Sequence, residues 1–410
     1  MNTSTIWGTI RQGVLDAAYV WREEFRTIFH DFGAMLFLFM LPLGYPLVYA
    51  LIYNPETPRN IPIAVVDDCR SELSRQYCRM IDATPQIAVA SYAANMQEAE
   101  ALLNERKVYG ILSLDRNFER DIYRARQANV MLFCDMNSLL YYRNLLVGAT
   151  DVTAAFNAQI QAKGLGGATV QQQSMALSPV KSASIALFNP AQGFAAFIMP
   201  AIEVLVIQQS ILLALGLLAG TQRERNRNKK LIPDNRRYFG TYRVVLGKAL
   251  CFITISILTT CWTMVIVPEI FRFPHLADRA DLYMFLVPFV LASIFLGMTL
   301  SCLMRGREMP MLFYVFMSVP LMFMSGIAWP WSAIPAGWKI VGSLSPSTYA
   351  IQGFIQLNGC GASLHDVRFY YLFEWGLALV YFMTACAVYR YQVKISMDRI
   401  QSAGKAPADL

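Results

Sequence analysis

"FAAFIMPAIEVLVIQQSILLALGLLAGTQRERNRNKK", residues 194–230, sets a long apolar run directly against a cluster of arginines and lysines. A bilayer core about 30 Å thick requires roughly 20 mostly apolar residues in a helix, so residues 194–219 are long enough to cross it. Cation-rich short loops stay on the cytoplasmic side, so the cluster orients the run as well as ending it. Composition agrees. Of the 410 residues, 55% are hydrophobic and 15% are charged, where soluble chains carry about a quarter charged residues.

Five further runs have similar length: Phe32–Tyr53, Val244–Val267, Tyr283–Met304, Met309–Ala328 and Phe369–Tyr389. The expected fold is an α-helical polytopic membrane protein with six transmembrane helices and an inserted α/β extracytoplasmic domain. The first run begins at Phe32 and is too long for a signal-peptide core, so it is expected to remain in the mature chain. The loop 220–243 carries Arg223, Arg225, Arg227, Lys229, Lys230, Arg236, Arg237 and Arg243 against Glu224 and Asp234, which places it in the cytoplasm. Alternation puts Arg305 and Arg307 on the same side, together with the tail bearing Arg390, Lys394 and Arg399. Both termini are then expected in the cytoplasm.

Residues 54–190 fall outside, because long domains translocate largely regardless of charge. "IPIAVVDD", "QIAVAS", "VYGILSL" and "NVMLFCD" are short strand-like runs alternating with helix-like stretches, which argues a small α/β sheet. Asn95 and Glu98 form a capping-box pattern at the start of one helix. A longer amphipathic helix is expected from Ser138 to Lys163, followed by a "GLGGATVQQQS" linker. Cys69, Cys78, Cys134 and Cys360 would face an oxidising side, where a Cys69–Cys78 disulfide is one option, and sequence alone leaves connectivity open.

No catalytic pattern emerges. His30, His275 and His365 stand in separate regions with no i, i+4 partner, so no zinc motif is expected. "LGKA" at Leu246–Ala249 fails the phosphate-loop pattern, with Tyr242 in place of its first glycine and Ala249 in place of Ser or Thr. No nucleic acid, metal or nucleotide is expected on this chain.

Before the first run, residues 6–31 have amphipathic spacing. Trp7, Val14, Trp21 and Ile28 recur every seven residues, with Ala18 and Phe25 on the same side. Such a helix is expected in the inner interface plane, its aromatic side among lipid headgroups. Between the last two runs, "FMSGIAWPWSAIPAGWKIVGSLSPSTYAIQGF" interrupts apolar sequence with Gly and Pro. Irregular backbone at membrane depth survives only where protein shields it or water reaches it, so a re-entrant pair of half-helices is expected. Glu203 is an acid deep in the second run. An unpaired charge there would cost roughly 3 kcal/mol or more, which makes it a pathway candidate. Gln208 and Gln209 beside it suit interhelical hydrogen bonding.

With these motifs in hand, the chain resembles the type-2 ABC transporter permeases, specifically bacterial exporter subunits with a large extracytoplasmic domain after the first span. "WREEFRTIFHDFGAMLFLFMLPL" is similar to their connector helix, through Glu24, Arg26 and Asp31. "LFNPAQGFAAFIMPAIE" is similar to their approach to the second span. Ser325, Gly326, Pro330, Pro335, Trp338 and Pro346 follow their signature before the last span. The resemblance implies that the loop after the second span holds a coupling helix for a separate cytoplasmic ABC ATPase subunit. Arg223, Glu224, Arg225, Asn226 and Arg227 stand there, departing from the family's usual Glu-Arg-Glu pattern. ATP and Mg²⁺ would bind that partner, and this chain would carry no cofactor and no enzymatic activity. A second copy or paralogue completes the expected complex, with a periplasmic adaptor and outer-membrane channel as further candidates. The alternative is a non-transporting scaffold or receptor.

The resulting organisation is a connector helix (1–31), first span (32–53), α/β domain (54–190), second span (191–219), coupling loop (220–243) and three spans (244–328). A re-entrant segment (329–368), last span (369–389) and tail (390–410) follow.

Overall fold

The computed structural model describes residues 3–53, 57–124, 126–164, 187–189, 193–225, 240–273 and 275–403, side chains at 3–10, 163–164 and 395–403 excepted. Asn226, Arg227 and the rest of the basic loop to 239 lie outside the described residues, as do Pro190 and most of the "GLGGATVQQQS" linker. The chain divides into two compact units, residues 1–54 with 187–410, and residues 55–186.

The first unit is helical. Its elements are α1 (Thr3–His30), α2 (Phe32–Ile52), α7 (Phe194–Arg225), α8 (Thr241–Phe271), α9 (Arg279–Leu300), α10 (Met309–Met324), α11 (Ala336–Ser343), α12 (Pro346–Phe354) and α13 (Arg368–Ala403). Five of these, α2, α7, α8, α9 and α13, are long and apolar enough to cross a bilayer. The fifth expected span, Met309–Ala328, is shorter than its apolar run. Helix α10 stops at Met324 after 16 residues, about 24 Å of rise. It ends because Gly326 adopts φ of 91°, a left-handed conformation that breaks the helix and that glycine tolerates best. The fourth run is also displaced: α9 starts at Arg279 and ends at Leu300, not at Met304.

Helix α7 is the hub. Every residue from Ala201 to Gly220 is buried, and α7 packs against α2, α9, α10 and α12. Proline in α2 shows how the bundle repairs its own backbone. Pro46 has no N–H to give the Pro42 carbonyl, and Thr263 Oγ1 of α8 donates to that oxygen instead at 3.0 Å. Trp262 Nε1 reaches the next carbonyl, Leu43, at 3.0 Å. Both donors come from a π turn, Trp262–Ile266, which redirects side chains inside an otherwise α-helical span.

The second unit is an α/β sheet. Its elements are β1 (Ile61–Asp67), α3 (Glu72–Asp82), β2 (Ile87–Tyr92), α4 (Met96–Asn104), β3 (Gly110–Leu114), α5 (Phe118–Tyr123), β4 (Val130–Cys134) and α6 (Leu139–Gly164). The strand order is β2-β1-β3-β4, with β1 parallel to both β2 and β3 and β4 antiparallel to β3. Central β1 is buried on both faces, as its "IAVV" core requires. Asn95 caps α4 by accepting from Glu98 N at 2.8 Å, but Glu98 answers to Ala94 N, one residue before the cap. The reciprocal box lies instead at α3, between Ser71 and Ser74. No Cys69–Cys78 disulfide forms. Both are free thiols, Cys78 buried in α3 and Cys69 in the turn after β1.

Candidate functional site: the loop-side end of the helical unit

Helix α1 does not present its heptad face to lipid alone. It packs along α8 and buries Asp16, Val20, Glu24 and Ile28, one residue per turn, while Val14, Leu15 and Phe29 are exposed. The buried stripe therefore carries two acids, and α8 supplies two cations to meet them. Arg243 Nη1 lies 2.6 Å from Asp16. Lys248 Nζ lies 2.5 Å from Glu24, with both side chains almost wholly buried. Helices approach this closely because position 247 has no side chain. A Cβ on Gly247 would sit 2.8 Å from the Ala17 carbonyl oxygen and from Val20 Cβ. The "LGKA" motif that failed as a phosphate loop thus has a structural purpose: glycine for the approach, lysine for the buried acid. Sequence reading missed Lys248, although a lone cation inside an apolar run is the signal that a partner must exist.

Immediately after α1, Asp31 organises a second junction. Its Oδ1 accepts from Ala34 N at 3.1 Å, capping α2, and from Arg307 Nη2 at 2.9 Å. Its Oδ2 accepts from Thr221 Oγ1 of α7 at 3.2 Å. Glu224 Oε1 accepts from the backbone N–H of Arg307 at 2.8 Å, and Arg223 Nη2 donates to the Cys302 carbonyl at 2.8 Å. These contacts tie the end of α7 to the α9–α10 connection. Gly220 permits it, since a Cβ there would stand 2.6 Å from the Gly306 carbonyl oxygen.

Between these groups opens a polar cleft of about 640 Å³, bordered by Arg26, His30, Asp31, Glu224, Arg225 and Arg307. Of the residues singled out from sequence, Arg26, Asp31, Glu224 and Arg225 therefore share one cleft, whereas Glu24 pairs with Lys248 of α8 and Arg223 reaches the Cys302 carbonyl. Arg225 is exposed.

The segment before α13 forms two short helices, α11 and α12, joined at Leu344–Ser345. Pro335 and Pro346 stand at their N-termini, where a missing N–H is harmless. Ser325 ends α10 and its carbonyl accepts from Gln352 Nε2 at 3.1 Å. Pro330 precedes a single 3₁₀ turn, Trp331–Ala333, and Trp338 is exposed on α11. Gln208 of α7 caps α12, its Oε1 accepting from Ser347 N at 2.7 Å and its Nε2 donating to Ser345 Oγ at 3.0 Å. Gln209 is buried with neither amide atom hydrogen-bonded among the described residues. Glu203 is buried one turn above Gln208, and its Oε1 likewise lacks a partner there. Glu374, near the start of α13, is fully buried beside Ala350 of α12.

A family model described as ABC-2 family transporter protein matches residues 33–387. The chain belongs to the ABC-2 transporter family. It is a multi-pass membrane protein and a permease component of an ABC transporter, and the family implies an ABC ATPase partner. No curated protein matches it. No group of His, Cys, Asp or Glu able to hold a metal occurs among the described residues of this ABC-2 permease.

Proposed function

We propose that this permease exports an amphipathic substrate, a drug, lipid or similar molecule, outward across the bacterial inner membrane. A separate ATPase subunit supplies the energy through the loop 220–243. The carrying observation is the cleft at Asp31, Arg225 and Arg307, where α1, α2, α7 and the α9–α10 connection are joined by hydrogen bonds and ion pairs. A subunit pressing there would move the connector helix and the central helix together. The basic loop supports a cytoplasmic placement for this end, with both termini on the same side, six passes if α10 crosses, and the α/β unit outside. An adaptor and outer-membrane channel would then engage that unit.

The exposed face of α10 carries Met311, Leu312, Val315, Phe316, Val319 and Phe323. Flexible methionines beside aromatics suit a surface that repacks around varied apolar cargo, and this face is our candidate for the contact with a second copy or paralogue. Glu203 and Gln209, buried on the helix that α10 packs against, are the proposed polar groups of the pathway.

The test separates structural from coupling roles. Arg223 and Glu224 hold the fold of the cleft, whereas Arg225 is exposed, so Arg225→Glu is expected to leave insertion intact and to abolish substrate-stimulated ATPase activity in the reconstituted complex. The combined replacement of Arg223, Glu224 and Arg225 is expected to uncouple hydrolysis from transport. Unchanged stimulation in both variants would overturn the docking site.

A further inference from the structure

Helices α8 and α9 enclose a second, apolar cleft of about 330 Å³, lined by Ile253, Ser256, Thr260, Tyr283, Leu286 and Val290 among others. That volume lies at the lower end of the range for ligand sites. The hydroxyls are its unusual feature. Ser256 and Thr260 are 1% and 6% exposed, and neither oxygen has a hydrogen-bond partner among the described residues. Helical Ser and Thr normally return their proton to a carbonyl one turn back. Thr254 and Thr259 of this same helix do so, to Leu250 and Ile255. A buried polar group left without a partner is costly, and these two are one turn apart on one face of α8, both at the wall of the same cleft.

The cleft opens toward the bilayer. Ile257, Tyr283 and Val287 at its margin are 65%, 41% and 49% exposed. Cys261 Sγ, next to Thr260, meets the Tyr283 hydroxyl of α9 at 3.5 Å, and Tyr283 stands four residues from Arg279 at the start of α9, about 6 Å of helix rise, so Thr260 lies about one turn inside the polar end of α9. That end is polar, with Arg279 paired to Glu269 of α8. An occupant must therefore be apolar along most of its length and carry acceptor oxygens near one membrane face.

We propose that this cleft binds a diacyl phospholipid, one acyl chain lying between α8 and α9 and its ester carbonyls accepting hydrogen bonds from Thr260 and Ser256. Glycerol offsets the two esters along the bilayer normal, as the two hydroxyls are offset by one helical turn, about 6 Å. In the orientation proposed above, the lipid belongs to the outer leaflet. The site is lined by α8 and α9 and not by the α10 face assigned to cargo, so it holds a resident lipid.

The probe is a phosphatidylglycerol carrying a diazirine midway along one acyl chain, in phosphatidylethanolamine/phosphatidylglycerol vesicles containing the full-length chain. After photolysis, adducts are expected to concentrate on residues 253–260 and 283–291, several-fold above those on Leu379 and Met383 of α13, which are 60% and 55% exposed and report bulk lipid. Ser256→Ala and Thr260→Val remove only the hydroxyls and are each expected to lower that ratio about five-fold, the worth of one net hydrogen bond. Val290→Trp, which fills the cleft, is expected to abolish it. Even labelling of the two surfaces, or a ratio unchanged in the Ser256→Ala/Thr260→Val double variant, would overturn the proposal. So would loss of the adducts to a competing transported substrate with the phospholipid at constant concentration, which would make the cleft a cargo site.

Discussion

Replacing Lys248 by methionine removes one half of the buried pair that holds α1 to α8. Nζ and the Glu24 carboxylate are 2.5 Å apart, and about 5% or less of either side chain is exposed. At an effective dielectric of about 20, two unit charges at that distance attract by ~7 kcal/mol. Desolvation costs several kcal/mol per ion, so the intact pair contributes little net stability. Breaking it is a different matter, because the surviving carboxylate stays buried without its cation, at a cost of about 3–5 kcal/mol. Lys248→Met is therefore expected to destabilise the full-length chain by about that amount, and Glu24→Leu with Lys248→Met to recover most of the loss. Detergent-micelle unfolding curves for wild type, both single variants and the double variant form a double-mutant cycle that isolates the coupling. A single variant that costs less than about 1 kcal/mol, or a double variant that costs the sum of the singles, would show that no uncompensated charge is left buried.

Asp31→Asn keeps an oxygen for Ala34 N but loses the ion pair with half-exposed Arg307, and is expected to cost about 1 kcal/mol in the same unfolding assay; Asp31→Ala adds the lost helix cap, about 1 kcal/mol more. Gly353→Ala would place a methyl 2.3 Å from the Phe285 ring of α9, so α12 must shift, with an expected loss of at least 1–3 kcal/mol. Burial, reinforced by Asp67, pushes the Cys78 thiol up to about 12. Its unfolded counterpart loses its proton first, near pH 9, so the folded form binds more protons between about pH 9 and 12 and stability of the α/β unit falls across that window. Buried Tyr77 is shifted in the same direction, by desolvation. Iodoacetamide at pH 9 is accordingly expected to label half-exposed Cys69 and to spare Cys78 until the chain unfolds, as peptide mass mapping would detect.

Reading from sequence went furthest where one physical requirement acts on one contiguous segment. A bilayer demands about 20 apolar residues in a row, so the starts of α2, α7 and α10 were legible to the residue, Phe32, Phe194 and Met309. Strand and helix alternation in the α/β unit likewise exposed β1 through β4, because each strand's apolar run is local. Helix ends were harder: α9 stops at Leu300 and α10 at Met324, within runs that remain apolar. Hydropathy does not sense a turn set by φ at Gly326 or by packing.

The pairings were not legible at all. Glu24 and Lys248 are separated by 224 positions and Asp31 and Arg307 by 276, and nothing in the spacing of either residue names the other. Composition, span number within one, the basic loop and the α/β character of the insertion were determined by the sequence itself, since each follows from transfer free energy summed over neighbours in the chain. Which acid meets which cation, which face of α1 is buried, and which hydroxyls of α8 are left without partners were decided only in three dimensions, because a buried charge or hydroxyl is stabilised by whatever the fold brings beside it.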